Sequence, residues 1–201
     1  MEAVAYIAGE SHSDTPKCVC PVIGAAARRI NDWMTQAERD EFLAPILFDF
    51  AGTVGTREDK VRRGYIAADF AVRVFAPMRM RARKHVKLAE LMEAIPPITD
   101  KASAISARGK ANEVRSAAAT AAAHAAAAHA AAAAYAAYAA AYAADAAAAA
   151  AADAAYAAAD AAARRRVCEA ATQMLRDMIA VKHDDPCEWA RSPESLPCLV
   201  S

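Results

Sequence analysis

The sequence predicts an all-α protein: a small N-terminal helical bundle followed by a long Ala-rich helix, or by a helical hairpin in its place. Three observations carry that expectation. From Ala117 to Ala163, 37 of 47 residues are alanine, the residue that loses least on entering a helix. No Gly or Pro interrupts the chain between Gly109 and Pro186. No segment alternates apolar and polar residues between turn signals, as a half-buried strand does.

Residues 1–97 read as the bundle. Pro21 suits the first position of a helix running to about Trp33. Thr35-Gln36-Ala37-Glu38 is a capping box, in which the hydroxyl covers an early N–H and the carboxylate reaches back. Pro45 fits the first turn of a piece from Ile46 to Phe50, closed by Gly52 and Gly55. Thr56 caps a clearer helix, with Glu58 and Asp59 where the dipole favours negative charge. Val61, Tyr65, Ala68, Val72 and Phe75 then share one face, and Asp69 and Arg73 lie one turn apart and can pair. Pro77 ends this helix or starts another that reaches Ile95, and Pro96-Pro97 is the strongest breaker in the chain.

Residues 98–109 are expected as a linker, 110–183 as the long Ala-rich helix and 184–201 as a Pro-containing tail. One helix over 110–183 would be about 110 Å long, far beyond the ~13 Å radius of gyration of a hundred-residue bundle. It must project from its domain or lie along a partner. No residue marks the turn of a hairpin.

The non-alanine residues of the tract are ordered. On a helical wheel nine of its ten exceptions fall in a stripe about 80° wide. They are Thr120, His124, Tyr135, Tyr138, Tyr142, Asp145, Asp153, Tyr156 and Asp160, with His129 alone opposite. His124/Tyr135, Tyr142/Asp153 and Asp145/Tyr156 are each 11 apart, the spacing that keeps a nearly straight helix in phase. The leading reading is an interaction stripe. Tyrosine offers an apolar body with a polar tip, and the alanine faces allow close helix approach. The expected partner is a second copy, a helical protein, or the N-terminal bundle itself. Neutral repeat expansion is the plain alternative, and the one-sided distribution speaks against it. A third reading is ice or surface binding, since composition and 11-residue spacing are similar to type I antifreeze proteins. Only Thr120 supplies a threonine here, however, where that flat face needs many.

Charge is balanced overall, 24 Lys+Arg against 24 Asp+Glu, but uneven in place. Residues 57–87 hold ten Lys/Arg and three acids. Arg79, Arg81, Arg83, Lys84 and Lys87, with Arg164-Arg165-Arg166, are candidate phosphate contacts, which makes nucleic-acid association the alternative function. A solvated face, or a dock for the acidic N-terminal part, is the structural explanation of the same charges.

Little else points to chemistry. His12, Cys18 and Cys20 near one end, and His183 and Cys187 near the other, are weak metal candidates whose spacing matches no zinc knuckle. Gly52-Thr53-Val54-Gly55-Thr56 lacks the lysine of a phosphate loop. No enzyme activity, metal or cofactor is expected. Five cysteines, two of them too close to bridge easily, and a start without a basic n-region suggest reduced thiols in a cytoplasmic protein. The uncharged run from Ser116 to Ala144 is long enough for a bilayer. Its weak alanine hydrophobicity and its His and Tyr interruptions argue against a membrane span.

The order of pieces resembles an uncharacterised family of Ala-rich bacterial and prophage-encoded proteins. The resemblance rests on Cys18-Val19-Cys20-Pro21-Val22-Ile23, Asn31-Asp32, Val54-Gly55-Thr56-Arg57, Ala67-Ala68-Asp69-Phe70 with Arg73, Ile95-Pro96-Pro97-Ile98-Thr99 and Met178-Ile179-Ala180-Val181. It covers most of the chain, implies no activity and brings no catalytic residues. This sequence departs from the family in placing Tyr in the tract where Trp and Arg are expected.

Overall fold

The computed structural model describes residues 1–117, 121–135, 140–158 and 160–181. The described residues form helices and turns, with no strand among them. The all-α expectation holds.

Helix α1 (Glu2–Ile7) leads into a loop pinned by Glu10, whose carboxylate accepts the Lys17 and Cys18 N–H groups at 2.7 Å each. Helix α2 (Pro21–Trp33) starts on its proline as predicted. The Thr35/Glu38 capping box opens α3 (Gln36–Glu38), with Thr35 N–H on Glu38 Oε2 at 2.7 Å. A π-turn and two short 3-10 turns carry the chain to Phe50.

Thr56 and Asp59 form a second capping box at the start of α4 (Arg57–Phe70). Gly55 is required beside it, because a Cβ there would lie 2.6 Å from Asp59 Oδ2. Pro77 does not stop this helix. The π-turn at Ala71–Phe75 absorbs the missing N–H and ring clash, and α5 (Ala76–Ala82) continues directly. α5 ends in a Schellman turn: Lys84 takes φ +64°, His85 N–H reaches Met80 O at 2.8 Å, and Lys84 N–H reaches Arg81 O at 2.9 Å. Helix α6 (Val86–Glu93) follows, and after Pro96-Pro97 the Ile98 N–H is held by Asp69 Oδ1 at 2.9 Å. Asp69 also pairs with Arg73 at 3.1 Å, as its spacing predicts.

The interval expected as one long helix is divided. Helix α7 (Lys101–Ala117) begins inside the expected 98–109 linker, capped by Asp100, which accepts the Ser103 N–H at 2.8 Å. Helices α8 (Ala121–Tyr135), α9 (Ala140–Ala157) and α10 (Ala161–Ala180) follow. α8 packs back along α7, and α9 packs along α8, α2 and α4. The physical reason is burial. A solvated rod would leave its alanines wet, whereas the folded tract buries more than half of those whose burial is described.

Two cores result, one on each side of α4–α5. The first joins α2, α9 and α10: Ile23, Ile30, Phe75, Met174, Leu175 and the alanines at 143, 144, 147, 148 and 151. The second joins α5, α6, α7 and α8 around Val72, Met80, Met92 and Ile98, with alanines at 104, 107, 111, 126, 127 and 130. Arg63, only 2% exposed, ties the first core to the end of α10. It donates to Met178 O (3.0 Å) and Val181 O (2.9 Å) at the end of α10, where carbonyls lack onward helical partners, and to Thr53 O (2.7 Å) in the loop before α4. No helix among the described residues is long and apolar enough to cross a membrane.

Candidate interaction surface

Helix α9 is packed on three sides. Its alanines at 140, 143, 144, 147, 148, 151, 154 and 155 are buried. By the 100° step per residue these cover one broad arc, so positions 142, 145, 149 and 156 point the opposite way. There the structure leaves Tyr142 74% exposed and Tyr156 71% exposed, with Asp145 exposed between them. The two tyrosines are 14 residues apart, about 21 Å along the axis, and Ala149 sits midway. The result is a ridge of two aromatic posts over a small-residue saddle, held by a helix whose other face is fixed in the core.

The predicted stripe is therefore split. Tyr142, Asp145 and Tyr156 stay together on α9. His124 is exposed on α8, and Tyr135 ends that helix with the Arg108 guanidinium 4.2 Å from its ring centre. Asp160 belongs to no ridge: with φ −152° it caps α10, accepting the Ala163 N–H at 2.7 Å. A stripe computed on one unbroken helix loses its phase where such a cap restarts the backbone. Thr120 and Tyr138 lie outside the described residues.

Asp153 turns aside from the ridge into a cluster that the sequence reading missed. It pairs with Arg79 of α5, and its Oδ2 lies 2.9 Å from His129 Nδ1 of α8. Three helices meet at one carboxylate. His129, the residue opposite the stripe on a straight helix, faces α9 once the tract folds back. Arg79 is 74 positions from Asp153, and no local spacing could have paired them.

Four of the eight candidate phosphate contacts are committed to carboxylates. Besides Arg79, Arg81 holds Glu93 at 2.9 and 2.7 Å. Arg164 holds Glu38 at 2.6 and 2.9 Å and donates to Trp33 O at 3.0 Å. Arg165 pairs with Glu41 at 2.5 Å and Glu169 at 3.1 Å. The Arg164 guanidinium drives the Glu38 carboxyl down to about 2, against the partial cost of burial. Among the described residues Arg83, Lys84, Lys87 and Arg166 are exposed and carry no ion pair.

The metal candidates are dispersed. His12 is exposed and 3.1 Å from Glu2, while Cys18 and Cys20 are buried. Burial, followed by the nearby Glu10 carboxylate, pushes the Cys18 thiol up to about 11. Burial likewise pushes Cys168 up to about 12. Thiols held protonated are poor ligands and poor nucleophiles. No group of three potential ligands occurs among the described residues, and His183 and Cys187 lie outside them.

Compared with known protein families, curated proteins and solved structures, the chain matches none of them.

Proposed function

We propose that the protein is a non-enzymatic interaction module that self-associates through the exposed ridge of α9. The observation that supports this reading is the exposure of Tyr142 and Tyr156, 74% and 71%, on a helix whose opposite face is buried in the core. Tyrosine is enriched at interface centres because it presents a large, rigid, amphipathic surface at small entropic cost. The spacing suits a second copy. With Ala149 on a two-fold axis, antiparallel α9 helices would set Tyr142 of one protomer against Tyr156 of the other, and such a patch is self-complementary. Four tyrosines covering roughly 150 Å² each supply about 600 Å², less than a stable specific interface buries, so the dimer is weak and concentration-dependent.

Sedimentation velocity over a concentration series tests this. The wild-type chain is expected to shift from monomer to dimer with little sensitivity to salt, and Tyr142→Lys with Tyr156→Lys to remain monomeric. A wild-type chain that is monomeric throughout the series rejects the proposal.

Nucleic-acid association is the second reading. It draws on Arg83, Lys84, Lys87 and Arg166, those of the candidate phosphate contacts that are exposed and carry no ion pair among the described residues. The pairing of Arg79, Arg81, Arg164 and Arg165 within the fold leaves it the weaker of the two.

A further inference from the structure

A groove of about 420 Å³ lies between α4, α7 and α8, away from the α9 ridge. Its floor is one face of α7: Lys101, Ala104, Ile105 and Arg108 follow the i, i+3, i+4, i+7 rule. Tyr65 of α4 and Tyr135 of α8 form the walls. Ile105 is 62% exposed in the middle, although the neighbouring face of the same helix is buried through Ala107 and Ala111.

Two of the residues that line the groove are cations. Arg73, Arg79, Arg81, Arg164 and Arg165 all sit on carboxylates. Lys101 and Arg108 have no ion pair among the described residues, though they stand at the two ends of the same apolar strip. The Arg108 guanidinium rests on the Tyr135 ring at 4.2 Å, which holds its planar donors in place at the groove wall. The neighbouring Asp100 makes no ion pair with Lys101, its Oδ1 accepting instead from the backbone and hydroxyl of Ser103. Two cations about 10.5 Å apart along α7 thus bracket an isoleucine between two aromatic walls.

We propose that this groove binds a small amphiphilic anion, an aromatic carboxylate or sulfonate. Its ring system would lie on Ile105 between Tyr65 and Tyr135, and its acidic group would take the forked donors of Arg108 or the ammonium of Lys101. The volume falls in the range of drug-sized ligand sites, and a planar oxyanion is the natural partner of a fixed guanidinium.

The test uses two fluorescent probes of similar body and different charge, 8-anilinonaphthalene-1-sulfonate and neutral N-phenyl-1-naphthylamine. Wild-type protein is expected to bind the sulfonate saturably, one molecule per chain. Lys101→Ala with Arg108→Ala is expected to weaken the sulfonate by about tenfold or more, the scale of a lost charge-assisted hydrogen bond, and to leave the neutral probe unchanged. Ile105→Asp is expected to weaken both. Far-UV circular dichroism and the thermal midpoint verify that each variant is folded, and Arg108→Gln alone serves if the double variant is not. No saturable sulfonate site in the wild type, or equal sulfonate affinity in the charge variant, overturns the proposal.

Discussion

Glu38 joins two distant parts of the chain through one carboxylate. It closes the Thr35 capping box and accepts Arg164 at 2.6 and 2.9 Å, with both side chains largely covered. Its folded pKa is depressed from 4.5 to about 2, chiefly by the Arg164 hydrogen bonds. The stabilisation is therefore complete above the unfolded value and fades as pH falls from about 4.5 towards 2. A shift of this size corresponds to about 3 kcal/mol. Urea unfolding should show Glu38→Gln less stable than wild type by that order at pH 6, with the gap shrinking steadily as the buffer approaches pH 2.5. A pH-independent gap would assign the pair no electrostatic role. Half of this arrangement was legible in the sequence, since Thr35-x-x-Glu38 is a local signature. The other half was not, because Arg164 lies 126 positions away.

Helix starts were easier to read than helix stops. Thr35, Thr56 and Pro21 announced their helices because caps act over three or four residues. Gly109 was misleading. It reads as the end of a linker, yet it lies inside α7 with nothing within 4 Å of where its Cβ would be. Gly109→Ala should therefore stabilise the protein by about 1 kcal/mol, the helix-propensity difference, seen as a raised midpoint in chemical denaturation. An unchanged or lower midpoint would mean that the glycine serves something besides the helix. The divisions of the alanine tract had no comparable signal apart from Asp160. Alanine favours a helix on either side of any break, so where the chain turns is set by which seams can be buried, a tertiary decision.

The whole molecule is held together by small residues used as a core. Alanine gains only about 0.8 kcal/mol per buried methyl-sized group, but the faces of α8 and α9 repeat that gain along their length. Such seams have no slack for larger side chains. Ala151→Leu, at a fully buried site, should cost about 1–3 kcal/mol through overpacking, whereas Ala132→Leu on the exposed side of α8 should stay within about 0.5 kcal/mol of wild type. Equal effects in thermal unfolding would show that the tract's two faces are equivalent and that the alanine seam is not the core. All-α architecture was readable from composition because alanine content speaks directly to backbone preference. The tertiary arrangement was not, since the hydrophobic pattern of a poly-alanine helix is nearly the same on every side.

The Arg63 clamp has a consequence for how the protein is made. Its acceptors at Met178 and Val181 are 115 and 118 positions downstream, and α2 has α9 and α10 as its main cover. During synthesis the first hundred residues leave the ribosome before the helices that cover most of α2 have been made. Closure waits for the final helix, so the order of synthesis puts the longest-range contacts of the fold last.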